Sequence, residues 1–303
     1  MMGEAGGRMK TQPTDRTTKT CYPDTAAAPD ETEADLPDPA VTGQFMAGRR
    51  GLVMGVANDH SIAWGIAQML HRHGAELAFT YQGDAFQRRV APLAESLDAD
   101  MVMPCDVADP DSLDKTFAAL NGEWGGLDFV LHAIAFSDKE ELKGRYLDTS
   151  RDNFLKTLDI SCYSFTAIAQ RAAPMMTAGG SLLTLSYAGA ERVMPNYNVM
   201  GVAKAALEAS VRYLAVDLGG QGVRVNAISA GPMRTLAGSA IASARVVHKW
   251  QGENAPLRRN VTLEDIGGAG LYLLSDLSAG VTGEVMYVDS GYNVIGMLNL
   301  SED

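Results

Sequence analysis

The 303-residue sequence contains no apolar run approaching the roughly 18 residues that a membrane-spanning helix needs, and its start lacks the basic-then-apolar pattern of a secretory signal. A cytoplasmic protein without a membrane partner is the expectation. Cysteine is scarce: Cys21, Cys105 and Cys162 are odd in number and show none of the paired spacings that build zinc sites or disulfide frameworks, so free thiols and no metal are expected. Positive charge is in short supply, with 25 Lys and Arg against 37 Asp and Glu and a formal net charge of -12. That balance argues against nucleic acid as a partner, because non-specific binding to it draws on many Lys and Arg contacts to phosphate. What is present is a composition 46% hydrophobic and 20% charged, the balance of a globular chain with a sizeable core.

The first 45 residues are rich in Thr, Pro, Asp, Glu and Ala and, apart from Leu36, Val41 and Phe45, offer little to bury, so 1–45 reads as a disordered extension. Met46 precedes Ala-Gly-Arg-Arg-Gly-Leu-Val-Met-Gly, where the folded domain, 46–303, is expected to begin. Met46 is one candidate for the native start, and a native but flexible tail is the other reading. From Gly51 onward short β-type runs alternate with helical patterns, without a linker or an internal repeat. Strands are expected at Leu52–Val56, Glu76–Tyr81, Met101–Cys105, Phe129–Ile134, Ser181–Leu185, Arg224–Ile228 and Val285–Val288. Helical patterns cover Ser61–His73, Arg151–Met176, Asn198–Leu218 and Leu263–Leu274. The two longest are candidate interface elements. The architecture this predicts is α/β: one doubly wound domain around a seven-stranded parallel sheet.

Gly55-Val-Ala-Asn-Asp-His-Ser61-Ile-Ala-Trp-Gly65 lies between the first strand and the first helix and resembles a Rossmann-type dinucleotide fingerprint with wider spacing. An ordinary strand-to-helix turn is the competing reading. Ser61 is placed to cap the helix, whose first-turn N–H groups and positive end suit a phosphate. The second strand ends in Gln82-Gly83-Asp84, where a ribose is normally met. A 2′-phosphate would want Arg or Lys there, so NADH is expected over NADPH. Arg88 and Arg89, a turn or two on, also read as a solvated face. After the third strand, Asp106 and Val107 are placed either for an adenine ring or as a loop cap.

Tyr197 and Lys204 stand seven residues apart, roughly 700° on a helix and about 10.5 Å in rise, hence on one face. A nicotinamide ribose would span the gap. A cation near the phenol is expected to make Tyr197 a better proton or hydrogen-bond donor. Chance spacing, with Lys204 solvated, is the other reading of this pair taken alone.

The surrounding sequence weighs against chance. Leu-Thr-Leu-Ser-Tyr187-Ala-Gly-Ala-Glu-Arg-Val-Met-Pro-Asn-Tyr197-Asn-Val-Met-Gly-Val-Ala-Lys204, followed by Arg-Val-Asn-Ala-Ile-Ser-Ala-Gly-Pro-Met-Arg-Thr, resembles the bacterial enoyl-acyl-carrier-protein reductases, divergent members of the short-chain dehydrogenase family. The similarity runs from about Gly48 to near Leu300. It implies hydride transfer from NADH to the β-carbon of a trans-2-enoyl thioester in fatty acid elongation, with Tyr197 stabilising the enolate oxygen, Lys204 on the ribose and Tyr187 as a second active-site tyrosine. By residue matching, Gly55, Ser61, Ile62, Gln82, Asp106, Val107, Ile134, Lys204, Met233, Arg234, Thr235, Leu236 and Ala237 would line the cofactor, and Ser137 and Met200 the substrate. The family also implies a homotetramer and an acyl carrier protein as partner.

Two departures bear on ligand fit: Ala135 stands where the pattern often has Gly, and Ala244 where a bulky apolar residue often lines the acyl pocket. The stretch from 232 to 258 lacks a clear strand and reads as a substrate lid. Its Arg245, His248, Lys249, Arg258 and Arg259 form a locally basic surface suited to an acidic carrier protein. A short-chain dehydrogenase acting on a carbonyl or alcohol is disfavoured, because those enzymes place Tyr and Lys four apart. A non-catalytic NAD-binding module is the remaining alternative.

Overall fold

The computed structural model describes residues 43–239 and 244–297. The expected extension, up to position 42, and Cys21 lie outside the described residues. The compact unit starts at Gly43, slightly ahead of the expected boundary. Phe45 lies against the His73 ring at 5.3 Å between centroids. Met46 is fully buried, and its N–H donates to the His73 carbonyl at 2.9 Å.

In chain order the elements are β1 (Arg50–Met54), α1 (Ile62–Arg72), β2 (Glu76–Tyr81), α2 (Asp84–Glu95), β3 (Met101–Pro104), α3 (Pro110–Trp124), β4 (Phe129–His132), α4 (Arg151–Leu158), α5 (Ser164–Ala172), β5 (Gly180–Ser186), α6 (Asn198–Gly219), β6 (Val223–Ala230), α7 (Leu236–Ser239), α8 (Ala244–Asn254), α9 (Leu263–Leu274) and β7 (Val285–Val288). The strands form one parallel sheet in the order β3-β2-β1-β4-β5-β6-β7. Among the described residues no helix is long and apolar enough to cross a membrane.

Alternation along the strands sorts side chains onto two faces, both covered by helices. Val53, Phe79, Phe129, Leu131, Leu183 and Ile228 pack on one side against α1, α2 and α9. Leu52, Met54, Ala78, Val130, Leu182, Val225 and Ala227 pack on the other against α3, α5 and α6. Because both faces are buried, the strands read as near-continuous apolar runs. On the first face α1 and α9 approach so closely that a Cβ on Gly270 would stand 2.7 Å from the Ile66 side chain, and one on Gly267 2.9 Å from the Gly65 carbonyl oxygen.

The expected helix over Arg151–Met176 is interrupted. Between α4 and α5 the residues Asp159–Tyr163 form a π-turn, and Ala173–Met175 closes the segment as a 3₁₀ turn. The reason lies in side chains that draw the backbone elsewhere: Ser161 Oγ accepts from Phe136 N at 2.9 Å and donates to Phe136 O at 3.0 Å. Wide turns of this kind concentrate at functional sites, and this one grips the chain that leaves β4.

Candidate active site

In an open parallel sheet the crevice outside the strand carboxyl ends opens where the strand order reverses, here between β1 and β4. A cavity of about 610 Å³ lies there. Its wall is made by residues that follow β4 (Ala133 to Lys139), the end of β5 (Leu185, Ser186, Tyr187), α6 (Tyr197, Met200, Lys204) and the end of β6 with the segment after it (Ala230 to Met233, Thr235, Gly238), closed by Ala244 and Val247 of α8.

The tyrosine that heads α6 is held by an unusual backbone. Asn196 and Asn198 both adopt the left-handed region, at φ 58° and 35°, which Asn tolerates better than most residues. Asn198 Nδ2 donates to the carbonyls of Glu141 and Lys143 at 3.3 Å. Tyr197 thus occupies the N-cap, not a position inside the helix as the seven-residue spacing predicts. Tyr187 and Tyr197 nonetheless meet edge to face, 5.1 Å between centroids, within an apolar cluster of Leu142, Val199, Met200 and Ala203.

Lys204 is 6% exposed, and its Nζ donates to the Leu185 carbonyl at 2.7 Å. Burial pulls its pKa down to about 8, opposed by the nearby Cys162 and Glu208. The Tyr197 phenol is pushed well above its ordinary value, first by burial and then by Tyr187 and Glu208; Tyr187 is pushed up to about 12 by burial and Tyr292. The expected help from Lys204 to the Tyr197 phenol is therefore not found: burial, Tyr187 and Glu208 all favour the neutral form. A neutral phenol that holds its proton is still a hydrogen-bond donor.

His132, at the end of β4, is completely buried and pulled down to about 3 by burial and by Lys204. Its Nε2 lies 2.9 Å from Ser164 Oγ, whose own proton goes to the Ile160 carbonyl at 2.7 Å, and its Nδ1 lies 2.8 Å from Thr184 Oγ1. Since the folded state keeps this imidazole neutral while an unfolded His takes up a proton below about pH 6.5, its contribution to stability is complete above that pH. It is lost as pH falls toward about 3, at about 1.4 kcal/mol per unit. Urea unfolding at stepped pH should show this slope in the wild type and a shallower one in His132→Gln; equal slopes would remove His132 as its cause.

The other predicted residues divide. Ile62, Ile134, Ser137, Met200, Met233 and Thr235 line the cavity. Ser137 is fixed by Thr157 Oγ1 at 2.9 Å and by Asn153. Gly55 (φ 100°) and Ser61 form the β1–α1 turn next to it. Ser61 is the N-cap residue of α1, but its hydroxyl makes no capping bond. Instead it accepts from Ala57 N and Asn58 N at 3.0 and 3.1 Å, which ties the glycine turn together. Trp64 N, in the first turn of α1, is taken by the Ser61 carbonyl at 2.9 Å, and the amides of Ile62 and Ala63 are left for another acceptor.

Gln82 and Asp106 stand at the exposed ends of β2 and β3, joined by Gln82 Nε2 donating to Asp106 Oδ2 at 3.0 Å. The other Asp106 oxygen accepts from Ala108 N at 3.0 Å, so the loop-capping role is present as well. Val107 packs at the edge of the second core face. Arg234, Leu236 and Ala237 run from the end of the β6 loop into α7. Sequence reasoning left out Phe136, Asp138, Lys139, Leu185, Ser186, Met194 and Val247 from the cavity wall. Phe136, Asp138 and Lys139 follow the carboxyl end of β4 and Leu185 and Ser186 form that of β5, whereas Met194 and Val247 lie farther along the chain.

Sheet order, switch-point cleft and the Tyr187–Tyr197–Lys204 cluster define a Rossmann-type protein of the short-chain dehydrogenase kind. Residues 55–293 match the family described as enoyl-(acyl carrier protein) reductase. The chain is 65% identical over 256 residues to enoyl-[acyl-carrier-protein] reductase [NADH] 2 of Rhizobium meliloti (strain 1021), covering 84% of this chain and 96% of that one. It is also similar to the solved structure of the Anaplasma phagocytophilum reductase in complex with NAD, at 62% identity and TM-score 0.83, over 86% of this chain and 99% of that one. A third match is the Bacillus cereus reductase solved with NADP+ and indole naphthyridinone, at 51% identity and TM-score 0.81, over 83% and 98%. The chain belongs to the enoyl-acyl-carrier-protein reductase family.

Proposed function

We propose that this protein saturates trans-2-enoyl-acyl-carrier-protein thioesters with NADH in fatty acid elongation. The observation that carries the reading is that the tyrosine pair and the buried Lys204 line one largely apolar cavity. When bound, reduced nicotinamide supplies the hydride. The residues present fit such a group: the glycine turn and the amides of Ile62 and Ala63 at the start of α1 suit a pyrophosphate, and Lys204 has one N–H on Leu185 and two to offer ribose hydroxyls. Gln82 and Asp106 would meet the adenosine end, where a carboxylate disfavours a 2′-phosphate.

As the β-carbon is reduced, negative charge develops on the thioester oxygen. Tyr197, protonated at all ordinary pH, donates a hydrogen bond to it, and protonation of the α-carbon completes saturation. Tyr187 packs against the Tyr197 ring and restricts its orientation. Ser137 and Met200 line the acyl side, with α7 and α8 as the lid.

For the carrier protein we assign the α8 face. Arg245 is exposed, and Lys249 is 77% exposed with only a 3.7 Å contact to Glu253, whereas Arg259 is already held by Asp265 through both nitrogens. A homotetramer is supported by apolar side chains left exposed on α6, Tyr213 at 76% and Val216 at 82%. The test is loss of NADH absorbance with crotonyl thioester, on coenzyme A and on carrier protein, with NADPH run separately. Turnover with NADH is expected, and Arg245→Glu with Lys249→Glu should raise KM for the carrier-linked substrate alone. No turnover of any enoyl thioester by folded protein would sink the reading.

A further inference from the structure

Glu208 takes no part in the steps above, yet it is a carboxylate only 6% exposed. It stands one helical turn after Lys204 on α6, so the two side chains rise from the same helix face. They engage two consecutive residues of β5. The Leu185 carbonyl accepts from Lys204 Nζ at 2.7 Å, and the Ser186 hydroxyl donates to Glu208 Oε1. The next residue is Tyr187, whose ring meets Tyr197 at 5.1 Å. A strand end tied at one point can pivot, whereas one tied at two successive residues cannot.

The charges around the pair come from several elements. Glu208 is faced by Lys204 and Arg212 on its own helix, by Glu191 beyond β5, by Tyr287 on β7 and by Tyr197. Lys204 is faced by Glu208, by Cys162 in the π-turn and by the neutral His132 on β4. Burial disfavours the ammonium, and Glu208 is the carboxylate that counters it.

We propose that Glu208 is a positioning residue for this reductase: through Ser186 it clamps the end of β5 that carries Tyr187, and one helical turn from Lys204 it sets a carboxylate beside the ammonium that would hold the cofactor. This rests on the reductase reading, and wild-type turnover of enoyl thioester tests that reading separately.

The experiment is NADH affinity by cofactor fluorescence across pH, with kcat measured in parallel on variants shown to be folded by thermal unfolding. Wild-type affinity should fall on the alkaline side as Lys204, near 8, loses its proton. Glu208→Gln keeps an acceptor for Ser186 but removes the charge, and should move that fall about one pH unit lower; Glu208→Asp should return it toward wild type. Ser186→Ala should leave the pH dependence unmoved and lower kcat about tenfold, the effect of a small misplacement at a reacting centre. A wild-type pH profile in folded Glu208→Gln would overturn the proposal, as would wild-type kcat in Ser186→Ala. Should Glu208→Gln not fold, the Ser186→Ala result decides.

Discussion

Tyr197→Phe should lower kcat about 10²–10³-fold, the cost of removing one preorganised donor from a developing oxyanion, while the Kd for NADH stays near its wild-type value. The hydroxyl is the only atom lost. The ring remains, so its edge contact with Tyr187 and its packing with Leu142, Val199 and Met200 survive, and the fold should not notice. Steady-state kinetics with crotonyl thioester and a fluorescence titration of NADH separate the two quantities. A kcat within about threefold of wild type would mean that this phenol is not the donor, and attention would pass to Tyr187.

Gly55→Ala should be equally damaging, by a different route. Gly55 sits at φ 100°, and a Cβ built on it would stand 2.1 Å from the Ala133 carbonyl oxygen. Two strand-end loops, one after β1 and one after β4, therefore touch backbone to backbone at the mouth of the cleft. Left-handed strain and overpacking together cost about 2–5 kcal/mol, which for a domain of this size lowers Tm by about 5–15 °C. Because the displaced loops flank the cofactor turn, NADH affinity should drop about tenfold or more, a further ~1.4 kcal/mol. Thermal unfolding with and without NADH measures both. A variant within about 2 °C of wild type would show that the loops separate without penalty.

Much of the fold was legible because of the way its sheet is buried. Strands covered on both faces give apolar runs without polar alternation, and all seven were readable as such, with end positions shifted by a residue or two. β1 stops at Met54, short of the expected Val56, because Gly55 turns away. Among the described residues four helices went unassigned: α7 and α8, inside the stretch read as a lid, and α2 and α3. The apolar face of α2 is thin, with only Val90 and Ala94 buried and Pro92 inside. α3 did carry its signals, Asp109 capping the Asp111 amide, Pro110 in the first turn and Gly125 in a left-handed stop, but these are local marks that periodicity does not weigh.

The π-turn was illegible for a physical reason: it depends on Ser161 reaching Phe136 across 25 residues of chain. At the site, Tyr197 and Lys204 were found through a spacing argument that assumed one continuous helix, whereas the left-handed Asn196 and Asn198 place the tyrosine at its cap. The residues missed from the cavity wall are ordinary in type. Only strand order brings them together, and strand order is not written in any short window of sequence.

The π-turn between α4 and α5 also carries information about chain length. Closure from i to i+5 takes in one residue more than the ordinary i to i+4 ladder, so the turn behaves as an absorbed single-residue insertion. Deleting one residue within Asp159–Tyr163 would let α4 and α5 fuse into a straight rod with both buried stripes still in phase. The same deletion in the middle of α5 would rotate Phe165 and Ile168 out of the core. Within the α4–α5 segment, tolerance to shortening is thus confined to these five positions. What shortening would forfeit there is the grip of Ser161 on the loop that floors the cleft.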